Sequence, residues 1–360
     1  MAGELILLFG GPTRERRVSV ASAQTVVREL DAPRCWFWAP DGAVHELAVG
    51  ELLAHERPFE TDLVPSESAR FEDLKQALDA LSGRELFFLG LHGGVAEDGT
   101  LQGWLEARRL AFTGSGSRAS REAFDKNRAR EIARSRGLRI AEAITLDPSE
   151  ADTARGGLER LLERHRRIVL KPVADGSSMG LRFLSADDDA ADLIEAIESI
   201  RKEAIVYLAE AFIEGTELTA GVIDEERGLR ALPVSEVRLV EAAGFDYAAK
   251  YLGRGVREIT PAEVAPEITA EAQRMALVAH EMLGCFGYSR TDLIVDEAGP
   301  VYLETNTLPG LTRASFIPQQ LAAAGIELRS FIDRQLALAR RRQSRATLEP
   351  AYSAAGSSCS

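Results

Sequence analysis

Arg290-Thr291-Asp292-Leu293-Ile294-Val295, a turn over Asp296 to Pro300, and Val301-Tyr302-Leu303-Glu304-Thr305-Asn306 read as a β-hairpin with chemistry on one face. If the hairpin centres on Ala298, Asp292 faces Glu304 and Arg290 faces Asn306. Side chains alternate along strands, so these four share one face, while Leu293, Val295, Val301 and Leu303 point to a core on the other. Two carboxylates and an amide oxygen are hard ligands, suited to Mg²⁺ carrying nucleotide phosphates. Burying both carboxylates without a cation would cost several kcal/mol. The competing reading is a solvated acidic hairpin.

A second candidate is Lys171, on the strand Ile168–Val173, followed by Gly176-Ser177-Ser178-Met179-Gly180 and a strand at Leu181–Leu184. Backbone N–H groups and hydroxyls of such a turn can cradle phosphate oxygens while the lysine supplies a point charge. A plain hairpin with a snorkelling lysine fits the same residues. No GxxxxGK[ST] pattern occurs, which excludes a Walker-type loop. Residues 176–180 also spell GxSxG, but a strand rather than a helix follows the serine, against a nucleophile elbow. Residues 114–119 spell GxGxxA, but third in strand order and with no acidic partner after a next strand, against a nicotinamide site. Glu15, His92, Lys250 and Tyr251 lie in loops, where surface polar residues are common, and are ambiguous alone.

Elements must position these groups. Strands at Leu5–Phe9, Leu86–Leu91 and Leu110–Thr113 each end in a glycine loop, which predicts a parallel α/β sheet with ligands at the strands' carboxyl ends. Ser19 is predicted to cap the helix after the first strand. One helix is expected from Ser120 to Gly137, then strands within 204–224 and 229–239, a loop at 245–258, a helix over 270–283 and a last helix over 328–342. Arg340 to Arg342 would suit the negative end of that helix, and the small, polar tail 344–360 is expected to be disordered.

The chain has 360 residues, enough for two or three domains, with 45% hydrophobic and 28% charged residues. A formal charge of −13 argues against nucleic acid as partner. No apolar run reaches membrane-spanning length and no secretory signal is visible. Cys35, Cys285 and Cys359 form no CxxC pair, against a disulfide framework or cysteine zinc site. A soluble cytoplasmic globular protein is expected.

In order along the chain come Gly10-Gly11-Pro12-Thr13-Arg14-Glu15-Arg16-Arg17-Val18-Ser19, Leu91-His92-Gly93-Gly94-Val95-Ala96-Glu97-Asp98-Gly99, Asp125-Lys126, Lys171-Pro172, Glu210, Gly215-Thr216-Glu217, Lys250-Tyr251, Arg290-Thr291-Asp292 and Glu304-Thr305-Asn306-Thr307-Leu308-Pro309-Gly310. This series, over roughly 4–335, resembles the D-alanine–D-alanine ligases, ATP-grasp enzymes of peptidoglycan synthesis. The resemblance implies an α/β protein of three-domain ATP-grasp architecture: an N-terminal parallel α/β (preATP-grasp) domain over 1–118, a central lobe over 119–214 and a C-terminal lobe over 215–342, before the tail 343–360. ATP would lie between the two lobes, with Lys126, Lys171 and Lys250 on its phosphates, Glu210, Ala211, Phe212 and Ile213 at the adenine and Glu217 on the ribose. Asp292, Glu304 and Asn306 would hold two Mg²⁺ or Mn²⁺ ions.

The resemblance further implies that Glu15 binds the ammonium of the first D-alanine, in a set with Ser177 and Tyr251, and that His92 lies nearby. Arg290 and the Gly310 N–H would meet the oxyanion, with Ser315 and Phe316 at the second substrate. Phe316 stands where such ligases more often carry Leu or Met. The implied reaction makes D-alanyl phosphate and ADP, then D-alanyl-D-alanine, in a homodimer. D-Lactate, D-serine or another amino acid as substrate are alternatives, as is an ATP-binding regulatory protein without turnover. Arg290 argues against the last, since binding alone needs no oxyanion arginine.

Overall fold

Strand β1 (Leu5–Gly10) is apolar without alternation because both its faces are buried. In the computed structural model, which describes residues 4–174, 180–188, 190–239 and 256–353, Ile6 and Leu8 pack with Trp36, Phe87 and Leu89 on one side. Leu7 and Phe9 pack with Val20, Phe37 and Phe88 on the other. Strands β2 (Arg34–Trp38), β3 (Val44–Leu47), β4 (Leu86–Leu89) and β5 (Ala111–Phe112) complete the sheet in the order β3-β2-β1-β4-β5. All pairs are parallel except β2–β3, so the predicted parallel core gains an antiparallel edge.

Ser19 does not cap its helix. It lies inside Arg16–Val26, where its Oγ accepts from Gly10 N at 2.7 Å and donates to Gly90 O at 2.6 Å. One hydroxyl thus satisfies two buried backbone groups at the ends of adjacent strands. The helix expected from Ser120 to Gly137 is two helices, Ser117–Phe124 and Lys126–Ser135. Asp125 separates them, its carboxylate accepting from Arg128 N at 3.1 Å as an N-cap.

A second sheet holds β6 (Ala143–Leu146), β7 (Arg167–Pro172), β8 (Arg182–Ser185) and β9 (Tyr207–Ala211), antiparallel in the order β6-β9-β7-β8. Helices Ala151–His165 and Ala190–Glu203 bury Leu158, Leu161 and Ile200 against Ile168, Leu170 and Tyr207 of this sheet. The third sheet contains β10 (Thr216–Glu225), β11 (Gly228–Ala231), β12 (Ser235–Leu239), β13 (Val256–Ile259), β14 (Tyr288–Asp296) and β15 (Gly299–Asn306). Its order is β13-β12-β10-β14-β15, with β11 paired to β10, and helix Pro266–Leu283 covers it through Ala272, Met275 and Ala279.

The β14–β15 register pairs Arg290 with Asn306, Thr291 with Thr305 and Asp292 with Glu304, as the alternation predicts. It then shifts by one: Leu293 pairs with Tyr302 across a bulge at Leu303. The extra residue lets Tyr302 turn into the core, fully buried, although it stands two residues before Glu304.

The last helix runs Leu328–Ser353, not to 342, so 343–353 is helical rather than a disordered tail. Phe331 and Ile332 join the core beside the first sheet. Arg342 does not face a helix end in solvent. It donates to Gly114 O at 2.8 Å and Phe112 O at 2.6 Å, with its guanidinium 4.1 Å from the Phe112 ring centre. These contacts carry the helix past the expected stop. Among the described residues, no helix is long and apolar enough to cross a membrane.

Candidate active site

The hairpin face is built on paired charge. Arg290 Nε and Nη2 donate to the two oxygens of Asp292 at 2.8 and 2.7 Å. Thr219, opposite on β10, donates to Asp292 Oδ1 at 2.6 Å, and Asn306 Nδ2 lies 3.3 Å from Oδ2. Glu304 pairs with Lys126 at 3.4 Å. Arg290 and Asp292 are each 8% exposed, so this fork is a desolvated, charge-assisted pair. The Phe316 ring stacks 5.7 Å from the Arg290 guanidinium carbon.

Helix Lys126–Ser135 joins this face to the central sheet. One turn beyond Lys126, Arg130 forms an ion pair with Glu210 of β9 and donates to Ala141 O at 2.5 Å. Lys171 of β7 pairs with the other oxygen of Glu210. Glu210 is 2% exposed, so its carboxylate is buried between two cations beside the second sheet. Ala211 and Phe212 donate their N–H groups to Glu142 O and Arg167 O, which fixes the strand end continuing to Ile213. Glu217, on β10, pairs in register with Ile294 and lies half-buried.

Around the first sheet, Glu15 precedes helix Arg16–Val26 and its carboxylate lies against Gly93. Gly93 has φ +70°, a conformation that favours glycine, and a Cβ there would fall 2.3 Å from Glu15 Oε2 and displace that carboxylate. Glu97 Oε1 accepts the Gly93 N–H at 3.0 Å. Burial, then the Glu15 charge, pushes the Glu97 carboxyl up to about 8. His92 is buried, with Nδ1 2.8 Å from Leu308 O and Nε2 2.8 Å from Ser22 Oγ. Burial holds its pKa below the ordinary imidazole value, against the opposing pull of Glu15. Gly310 abuts Ser315, whose Oγ lies 2.8 Å from Thr312 Oγ1.

The described candidates therefore fall into linked groups: Arg290, Asp292, Asn306 and Phe316; Lys126 with Glu304; Lys171 with Glu210; Glu15 at the His92 loop; and Gly310 with Ser315. Ser177, Lys250 and Tyr251 lie outside the described residues. Ser22, Glu97, Arg130 and Thr219 were not singled out in the sequence. Arg130 carried a usable signal, being one helical turn after Lys126.

A parallel α/β unit followed by two antiparallel sheets, with one helix taking cations to carboxylates on both, is the ATP-grasp architecture. The family profiles described as D-ala D-ala ligase N-terminus and D-ala D-ala ligase C-terminus match residues 4–115 and 132–337. A D-alanine--D-alanine ligase of Leptospira biflexa is 34% identical over 347 residues, covering 91% of this chain and 95% of that protein. One of Nitrosomonas europaea is 35% identical over 329 residues, covering 90% and 93%. The crystal structure of a D-Ala:D-Ser ligase from Enterococcus faecalis is 25% identical with a TM-score of 0.77, covering 94% of this chain and all of that one. The chain belongs to the D-alanine–D-alanine ligase family.

Proposed function

We propose that the protein joins two D-alanines to D-alanyl-D-alanine with conversion of ATP to ADP and phosphate, supplying peptidoglycan synthesis. The observation that carries this reading is the Arg290, Asp292, Glu304 and Asn306 face, joined by Lys126 to the nucleotide lobe. Asp292, Glu304 and Asn306 supply two carboxylates and an amide oxygen, a donor set that fits two Mg²⁺ or Mn²⁺ ions. Bound there, the ions would neutralise phosphate charge.

The chain's own groups do the rest. Glu15 holds the ammonium of the first D-alanine, so that its carboxylate oxygen attacks the γ-phosphorus as the bond to ADP breaks. Lys126 and Lys171 offset charge on the transferring phosphoryl group. Lys250 acts with them, and Ser177 and Tyr251 complete the Glu15 set. Glu210 to Ile213 frame the adenine, and Glu217 takes the ribose. The second D-alanine, seated by Ser315 and Phe316, attacks the acyl phosphate through its neutral amine, and phosphate leaves. Arg290 and the Gly310 N–H face the oxyanion formed on the way. Orientation alone supplies an effective molarity of about 10⁵ M or more. The reaction takes place in the cytoplasm, where ATP is available, and the enzyme works as a homodimer, which sedimentation tests.

A coupled assay of ADP release with D-alanine present or omitted, together with chromatography of the product, tests the reading. D-Alanine-dependent ADP and dipeptide are expected. Offering equal D-alanine, D-serine and D-lactate sharpens it: a product dominated by D-serine or D-lactate would replace the second substrate, and no D-alanine-dependent ADP would end the proposal.

A further inference from the structure

Two loops that the proposed chemistry brings together, after β4 and after β15, are tied by a hydrogen-bond chain running through Ser22 and His92. The carbonyl of Leu308 can only accept, so the imidazole nitrogen 2.8 Å from it, Nδ1, carries the proton, and Nε2 is an acceptor. Ser22 therefore donates its hydroxyl proton to Nε2 at 2.8 Å. The same oxygen accepts the Leu311 N–H at 3.3 Å. Every donor now has a direction: Leu311 N–H to Ser22, Ser22 to His92, His92 to the Leu308 carbonyl. The chain closes on the two residues that bracket Pro309 and Gly310.

Ser22 and His92 are 0% and 5% exposed, so water does not compete for these bonds, and burial keeps the ring in the neutral form they require. Thr13 donates to the His92 carbonyl at 2.9 Å, which ties the Glu15 loop to the same residue. Both ring nitrogens are engaged within the protein, so the imidazole has a holding task rather than a proton to exchange with substrate.

We propose that Ser22 and His92 are positioning residues: their hydrogen-bond chain fixes 308–311 and so aims the Gly310 N–H at the oxyanion. The inference rests on the proposed ligase reaction and on Gly310 as an oxyanion donor. A misplacement of about 1 Å in such a donor costs on the order of 10²-fold in rate.

The test compares the wild type with Ser22→Ala, His92→Asn and His92→Gln. Three quantities are measured: dipeptide formation, ATP affinity, and inhibition by a phosphinate analogue of the dipeptide that presents a tetrahedral oxyanion. Ser22→Ala should lower kcat about 10²-fold and weaken phosphinate inhibition by a similar factor, with ATP Kd within about twofold. His92→Asn keeps an N–H near the Nδ1 position, towards Leu308 O, and should retain more activity than His92→Gln, whose amide lies nearer the Nε2 position. If Ser22→Ala fails to fold, the two His92 variants decide. Unchanged kcat and phosphinate affinity in folded Ser22→Ala, a parallel loss of ATP affinity, or equal activity of the two His92 variants would overturn the inference. A wild type that makes no dipeptide brings down the proposed function, and this inference with it. An active wild type with an unaffected Ser22→Ala brings down the relay alone.

Discussion

The β14–β15 hairpin and the glycine loops of the first sheet both carry candidate site residues, but they hold them by different physics. On the hairpin, the pleat sets position and ion pairs neutralise charge: Arg290 grips Asp292 with two bonds, Thr219 adds a third, and Lys126 meets Glu304. On the loops, side chains satisfy backbone groups instead: buried Ser19 on Gly10 and Gly90, Thr13 on His92 and Gln102 on Ala96, and half-buried Glu97 on Gly93. A strand gives every residue a face, whereas a loop must have its backbone polar groups supplied with partners one by one.

The largest expected effects break the hairpin. Glu304→Gln should lower dipeptide formation by about 10³-fold or more, because the proposed metal ions would lose a carboxylate ligand. Its side chain is 29% exposed, so the Lys126 pair should contribute no more than about 1 kcal/mol to stability. Asp292→Ala should be equally inactive and also lose about 3–5 kcal/mol, since it leaves the buried Arg290 charge without its fork partner. Urea melts beside the coupled assay distinguish the two, and equal stability of both variants would show that the fork does not hold the hairpin. A smaller effect is expected at the Arg130–Glu210–Lys171 cluster. Arg130→Met should weaken ATP affinity about tenfold with little change in kcat, because Glu210 would then draw more strongly on Lys171. ATP titration checks this, and unchanged affinity would make Arg130 a packing residue. On the loops, Ser19→Ala orphans a buried N–H and a buried carbonyl and should cost about 1–3 kcal/mol, read as an earlier urea midpoint. A midpoint unchanged from wild type would mean that water or a small shift replaces the hydroxyl.

The same contrast explains what could be read from the residues alone. A period of two places Arg290, Asp292, Glu304 and Asn306 together without any knowledge of the rest of the chain. The bulge at Leu303 was not legible, because a single extra residue leaves the apolar pattern nearly unchanged and is selected by the packing of Tyr302. Strand Arg34–Trp38 was legible in principle, an aromatic run between Pro33 and Pro40, but the glycine-loop pattern passes over it. Ser22 acts on Leu311, 289 residues away, and no local pattern records such a distance, whereas Arg130 was legible only as the residue one helical turn after Lys126 and not by its partner Glu210, 80 residues on. Helix Leu328–Ser353 exceeded its expected end because Arg342 found carbonyls and a ring of the first sheet rather than solvent.

The last expected effect appears only as pH is varied and concerns charge on the loops, where Glu97 lies without the arginine fork that Asp292 enjoys. Its folded-state pKa is about 8, against an ordinary value of 4.5. Below the ordinary value both folded and unfolded chains hold the proton, and burial of the neutral acid carries no charge penalty. As pH rises towards 8 the unfolded chain ionises first, so the folded state binds more protons and this residue's contribution to stability declines. Above 8 the folded chain carries a buried carboxylate beside Glu15, and the decline levels off. Glu97→Gln stays neutral throughout, so its Tm relative to wild type should rise between pH 5 and pH 9, by an amount that is larger when Glu15 is intact than in a Glu15→Gln background. Parallel Tm–pH curves for wild type and Glu97→Gln would show that the Glu97 carboxyl ionises as it does in water. The loop would then tolerate charge as the hairpin does, through partners rather than through exclusion of the charged form.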